Sequence, residues 1–244
     1  VTLSGPSGSA AVAEVTANEQ GVWKTSLPKQ SAATDMTLTI QGKNKVTLKN
    51  VAVGEVWLCS GQSNMEWRLN QLTKDDQGKK VAAGATNPNI RLFDVPNRPF
   101  PEPQSDFPQT ATQGRWLECK TETVINFSAV GYFFGREIEK TQKVPVGLIA
   151  SDWGGTPAEA WTSLGGLKAE PGLTHYVENF TRLVGSFDPV KAEAKYQADL
   201  EAFRTAAAKA REEGKPLPRA PIKPGPGGVN QNTPSALYNG MIAP

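Results

Sequence analysis

The sequence predicts an α/β protein in which a parallel sheet is preceded by part of a β-sandwich. Three observations lead there. Residues 1–53 hold short runs with strand periodicity between turn residues, and from Val51 onward longer apolar runs alternate with helical spacing. The chain has 244 residues, 38% of them hydrophobic, which is enough to bury the core such a sheet requires. Lys and Arg number 26 against 24 Asp and Glu, so no strong field points to nucleic acid or to an acidic membrane surface. No stretch reaches the roughly 20 apolar residues of a membrane span, and residues 1–10 lack the basic start and apolar middle of a signal peptide.

The β-rich part spans residues 1–53. Its expected strands are "VTL", "AVAEV", "GVWKTSL", "MTLTI" and "KVTL", separated by turns such as "NEQG" and "QGKN". Met36, Leu38 and Ile40 alternate with threonines, the period of a half-buried strand. About five short strands are few for a closed sandwich, and the first starts at residue 1, so the chain is expected to begin inside this domain.

Residues 54–244 form the second part. "VAVGEVWLC", "NIRLFDV" and "VPVGLIAS" read as strands of a parallel sheet. In "SAVGYFFGREIEKTQ", Val130, Phe133, Phe134, Ile138 and Thr141 follow helical spacing behind Ser128, a candidate N-cap. An insertion at about 188–228 starts with Asp188 and Pro189 as N-cap and first residue of a long helix, striped by Tyr196, Leu200, Phe203, Ala207 and Ala210. It continues into "KPLPRAPIKPGPGG", where five prolines in fourteen residues exclude helix and strand and predict an extended, protease-sensitive loop.

Cys59 and Cys119 are the only cysteines and form neither a metal motif nor a redox CxxC; a disulfide between them is left open. His175 is the only histidine and has no carboxylates clustered around it, so no structural metal is expected.

Two stretches carry the candidate chemistry. In "WLCSGQSNMEW", Ser63 lies four residues past Cys59, where a parallel strand should end and where ligands of such sheets bind. Ser63 is either a nucleophile whose own N–H faces a developing oxyanion, or the cap of a following "NMEWRL" helix. In "IASDWGGTPAEAW", Gly154 and Gly155 let the backbone approach a bound group closely; the alternative is a tight βα turn.

"GEVWLCSGQSNMEW", followed about ninety residues later by "SDWGGTPAEAWTS", resembles the sialate O-acetylesterase family, a branch of the GDSL-type (SGNH) serine hydrolases. "ETVINFSAVGYFFGREIEK" and "NQNTPSALYNGMIAP" are similar to that family as well, so the resemblance covers most of the chain from about residue 50. It implies a three-layer α/β/α SGNH-hydrolase architecture with a flavodoxin-like sheet, and an accessory sandwich ahead of it. Ser63 matches the nucleophile, and Gly154, with Gly155 as the neighbouring alternative, matches the glycine of the oxyanion hole. The implied reaction is hydrolysis of acetyl esters on a sugar, of the sialic acid or xylan type, through an acetyl-serine and without metal or cofactor. Gln62, Asn64, Glu66, Trp67 and Trp153 are candidate substrate-binding residues, Glu66 and Asn64 for orienting substrate or loop and the tryptophans, Trp161 among them, for stacking on a sugar face. Asp152 is expected to be structural.

The family's third block and its closing Asp-x-x-His have no match in this chain, and His175 lacks an Asp three residues before it. The expectation is therefore an amino-terminal portion, with a carboxy-terminal segment of the same protein as the partner that supplies the base and its orienting carboxylate. The resemblance also implies an extracellular or periplasmic location. The rival reading is a carbohydrate-binding or scaffold protein that has lost hydrolysis.

Overall fold

The computed structural model describes residues 1–6 and 10–244. Contacts divide the chain into two compact units, residues 1–94 with 109–154 and residues 95–108 with 155–244. Both sheets lie in the first unit.

Strands β1 (Thr2–Ser4), β2 (Ala10–Val12), β3 (Ala33–Gln41) and β4 (Lys45–Val53) form an antiparallel sheet in the order β2-β1-β3-β4. The alternation read at Met36, Leu38 and Ile40 falls within β3, and Met36 is buried with Leu3 and Ala11. "GVWKTSL" forms no strand, contrary to the expectation. Its Val22 and Trp23 are exposed and only Leu27 packs on the small core, and Gly21 and Val22 bond to Asn18 in a turn in place of a neighbouring strand.

The apolar run at 51–59 is broken at Gly54. A Cβ there would lie 2.0 Å from the Pro145 carbonyl oxygen, and the next residue, Glu55, donates its N–H to that same oxygen at 2.9 Å. Only glycine permits this approach, so β4 closes the first sheet and β5 (Glu55–Gly61) opens the second. With β6 (Asn87–Asp94), β7 (Trp116–Cys119) and β8 (Val146–Asp152), it builds a sheet ordered β5-β8-β6-β7. β5, β8 and β6 are parallel, as expected, whereas β7 was not anticipated and runs antiparallel to β6.

Short helices α1 (Ser63–Glu66), α2 (Gln77–Ala83) and α3 (Thr121–Val124) precede α4 (Ala129–Gln142), which lies against the sheet. The predicted cap of α4 is present, with Ser128 Oγ accepting the Gly131 N–H at 3.1 Å. The predicted stripe is only partly right. Phe133 and Ile138 pack on the core, but Val130 and Phe134 are exposed and Tyr132 is buried in their place. The reason lies in the glycines: a Cβ at Gly135 would sit 2.5 Å from Leu148 Cδ1 and one at Gly131 would sit 3.2 Å from Cys59 Sγ, so α4 presses its small-residue face to the strands. Trp57, Cys59 and Leu148 share this covered face, as their register requires. Val56 and Leu58 point the other way and are 61% and 54% exposed.

In the second unit, α5 (Leu164–Ala169) and α6 (Thr174–Ser186) precede α7 (Pro189–Glu212). Asp188 Oδ1 accepts the Val190 and Lys191 N–H groups at 3.0 and 3.1 Å, the expected cap, and Ala207 is the buried member of the predicted stripe. The proline-rich segment holds neither α-helix nor strand, with a single 3-10 turn at Pro226–Gly228. Phe180, Val229 and Ala236 form one buried cluster of this unit, in which Leu167, Leu237 and Met241 are buried as well. Among the described residues, no helix is long and apolar enough to cross a membrane.

Candidate active site

β5 leads the chain to the candidate nucleophile. At Gly61 the backbone turns with φ of +155°, a conformation that strains any other residue, and a Cβ there would lie a tight 3.2 Å from Met65 Cβ. Gln62, not Ser63, takes the N-cap position of α1, and no side chain caps that helix. The capping alternative for Ser63 therefore drops out. Ser63 is the first helical residue, exposed, with its Oγ donating to Gln62 Oε1 at 3.2 Å. The helix is also shorter than "NMEWRL" suggests: Trp67 has left helical geometry at φ −59°, ψ 111°.

The second loop follows β8, the direct neighbour of β5. Gly61 and Asp152 are in register, and the Trp153 N–H donates to the Gly61 oxygen at 3.2 Å, which joins the two strand ends. Gly154 then lies beside the serine, where a Cβ would be 3.1 Å from Ser63 Oγ and 2.7 Å from Glu66 Oε2. Its N–H donates to Glu66 Oε2 at 2.7 Å. Glu66 thereby holds the loop to the serine turn. Gly155 has φ of +74°, the left-handed region that favours glycine, in open space.

Gln62, Asn64 and Trp67 are exposed and Trp153 is half-buried. Clefts of about 450 and 480 Å³ flank Ser63, the first lined by Gln62, Asn64, Met65 and Val130, the second by Glu66, Trp67, Arg68, Asn70 and Gln71. Trp161 belongs to the second unit, where its indole N–H donates to Thr156 Oγ1 at 2.8 Å. His175 also lies in the second unit, exposed on α6 with its ring centroid 4.0 Å from that of Tyr176.

Beneath the serine turn is a charged network that sequence reasoning missed. Asp152, only 3% exposed, leaves Oδ2 without a hydrogen bond among the described residues. Burial pushes its carboxyl up to about 7, the Arg68 charge offsets part of this, and Asp94 and Glu66 add to it. Arg68 Nη1 lies 3.5 Å from both Asp94 carboxylate oxygens and donates to the Asn126 carbonyl. Gln113 Nε2 donates to Asp94 Oδ2 at 3.0 Å, yet burial still holds the Asp94 carboxyl above its ordinary range. The available signal was positional: Asp94 and Asp152 each end a parallel strand, where polar side chains of such sheets converge.

Both cysteines are free and buried, so the open disulfide is absent. Burial raises each thiol to about 11, and Cys119 Sγ donates to the Ala85 oxygen at 3.2 Å.

Comparison with known proteins places these features in context. The chain is 37% identical over 125 residues to the human sialate O-acetylesterase, a match that takes in 49% of this chain and 23% of that protein. The rat sialate O-acetylesterase is 36% identical over 128 residues, covering 49% of this chain and 22% of its own length. A solved carbohydrate acetylesterase from Xanthomonas citri superposes with a TM-score of 0.60 at 33% identity, covering 70% of this chain and 37% of that one. The match thus spans about a quarter of the length of the curated relatives. No family model matches. The mixed sheet, with its candidate serine at the end of a parallel strand, is consistent with the SGNH-like fold expected from the sequence.

Proposed function

We propose, from the kinship of this chain with the sialate O-acetylesterases over half of its length, that it supplies the nucleophile and an oxyanion loop of a carbohydrate O-acetylesterase. The observation that carries the reading is the exposed Ser63 hydroxyl at the carboxyl end of β5, with Gly154 packed directly beside it. Ser63 Oγ attacks the acetyl carbon while a histidine takes its proton; the tetrahedral oxyanion collapses and the protonated sugar oxygen leaves. The resulting acetyl-serine is attacked by water, deprotonated by the same base, and acetate departs.

The N–H groups of Ser63 and Gly154 serve the oxyanion, each such donor contributing about 100- to 1000-fold in rate. In the resting geometry the Gly154 N–H is held by Glu66, so the ester oxygen has to replace that carboxylate as the acceptor. Trp67, 49% exposed beside the cleft of Glu66, Asn70 and Gln71, provides a ring for a sugar face. The base and its orienting carboxylate come from a further segment of the same protein, a reading supported by the exposure of His175, whose ring lies against Tyr176. The family's members suggest action outside the cytoplasm.

The test is acetate release from an acetylated sugar by the complete encoded polypeptide. Ser63→Ala should lower it by at least about 1000-fold with the fold retained. Equal release by both proteins, or none from either, would reject the esterase reading.

A further inference from the structure

A further cleft of the first unit lies next to the serine site. Its volume is about 310 Å³, at the small end of the range for ligand sites. Arg68 lines both this cleft and the one that Ser63 shares with Glu66 and Trp67, so the two adjoin at that side chain. The floor is apolar, with Leu92 and Phe127 each 2% exposed and Leu117 half-buried. The rim is polar, formed by the exposed Thr112, Glu122 and Asn126.

The groups over that floor offer both donors and acceptors. The Arg68 guanidinium meets Asp94 and the Asn126 carbonyl through Nη1 alone, and its fork carries further N–H donors on the other nitrogens. Asn126 Oδ1 is taken by Asn70 Nδ2 at 2.8 Å, so the Asn126 amide nitrogen is the end left to donate. Gln113 spends its Nε2 on Asp94, which leaves Oε1 as an acceptor beside the Glu122 carboxylate. A sugar ring matches such a lining, since its hydroxyls donate and accept at once while its C–H face is apolar. An anion does not: Asp94, 3.5 Å away, already meets the Arg68 charge, and Glu122 adds a second carboxylate.

We propose that this cleft is a subsite for an uncharged sugar unit next to the acetylated one, so that the ligand is an oligosaccharide running from Ser63 past Trp67 and Arg68. Trp67, 49% exposed, lies on that path. That the bound chain is a substrate rests on the esterase reading; that a sugar binds here does not.

Titration of the 1–244 chain with the uncharged oligosaccharide xylotetraose, followed through backbone amide shifts, tests the subsite. The amides of Thr112, Gln113, Thr123 and Asn126 should shift, and the Kd should lie at least about tenfold below that of xylose, which fills one position only. Glu122→Ala should weaken xylotetraose binding by about tenfold and Glu122→Gln, which keeps an acceptor, by less. Thr112→Ala, in the loop before β7, should weaken it as well, whereas Lys49→Ala on the exposed part of β4 should not. Shifts confined to residues 62–71, no binding at all, or equal affinity for the anionic tetragalacturonate overturn the inference. Binding at these amides by a protein that releases no acetate would instead sink the proposed function and leave the subsite standing.

Discussion

At the residue scale the site depends on two carboxylates doing different work. Glu66 accepts the Gly154 N–H at 2.7 Å and so ties the loop after β8 to the serine turn. Hydrogen bonds to a charged group are worth about 1.5–3 kcal/mol, so Glu66→Ala should lower the urea midpoint by a loss of this size, with Glu66→Gln recovering part of it. Gly154→Ala should impair the site more directly, because its Cβ would meet both Glu66 Oε2 and Ser63 Oγ; the expected readout is lost acetate release with the far-UV spectrum unchanged. Asp152 acts through its charge state. Its carboxyl is raised to about 7 in the folded chain from an ordinary 3.8, so its contribution to stability is fully present below about pH 4 and is lost as pH rises through 7. Asp152→Asn should remove that slope, and urea titrations of both proteins between pH 4 and 8 would measure the difference. Ser63 and Gly154 were legible because each follows an apolar run that ends a strand. The Glu66–Gly154 bond was left open, because it joins residues 88 positions apart and no local pattern announces it.

At the element scale the turn that carries Ser63 is anchored by α4. Ser128 Oγ donates to the Met65 carbonyl at 2.6 Å while accepting the Gly131 N–H, and the Ala129 N–H donates to the Trp67 carbonyl at 2.8 Å. One buried hydroxyl thus caps α4 and satisfies α1. Ser128→Ala should cost about 1–3 kcal/mol, since it strands a buried carbonyl as well as removing a cap, and thermal unfolding should show it. Sequence located this cap and three parallel strands because apolar runs, glycines and capping residues act locally. It missed β7, whose "WLEC" is too short for a period and is fixed by pairing with β6. It misjudged Val130 and Phe134 because spacing alone does not say which side of a helix has glycines small enough to meet a strand.

At the scale of the whole molecule, the first unit contains both sheets and the serine turn, and the second contains the long helix and the proline-rich segment. Residues 211–220 are exposed throughout. Lys215 and Lys223 each precede a proline, whereas Arg219 precedes Ala220, so limited trypsin digestion should first cut after Arg219, as mass spectrometry of the fragments would show. The proline content made this segment legible; the division of residues 95–108 from their sequence neighbours was not, because it depends on distant partners such as the Ala236 carbonyl, which accepts the Phe100 N–H at 2.9 Å. The two sealed thiols have a practical corollary. With Cys59 and Cys119 6% and 1% exposed and both reluctant to ionise, maleimide chemistry at neutral pH would find little to react with on the native chain. One cysteine engineered at an exposed position would then accept a fluorophore selectively, which makes the protein a ready background for spectroscopic rulers.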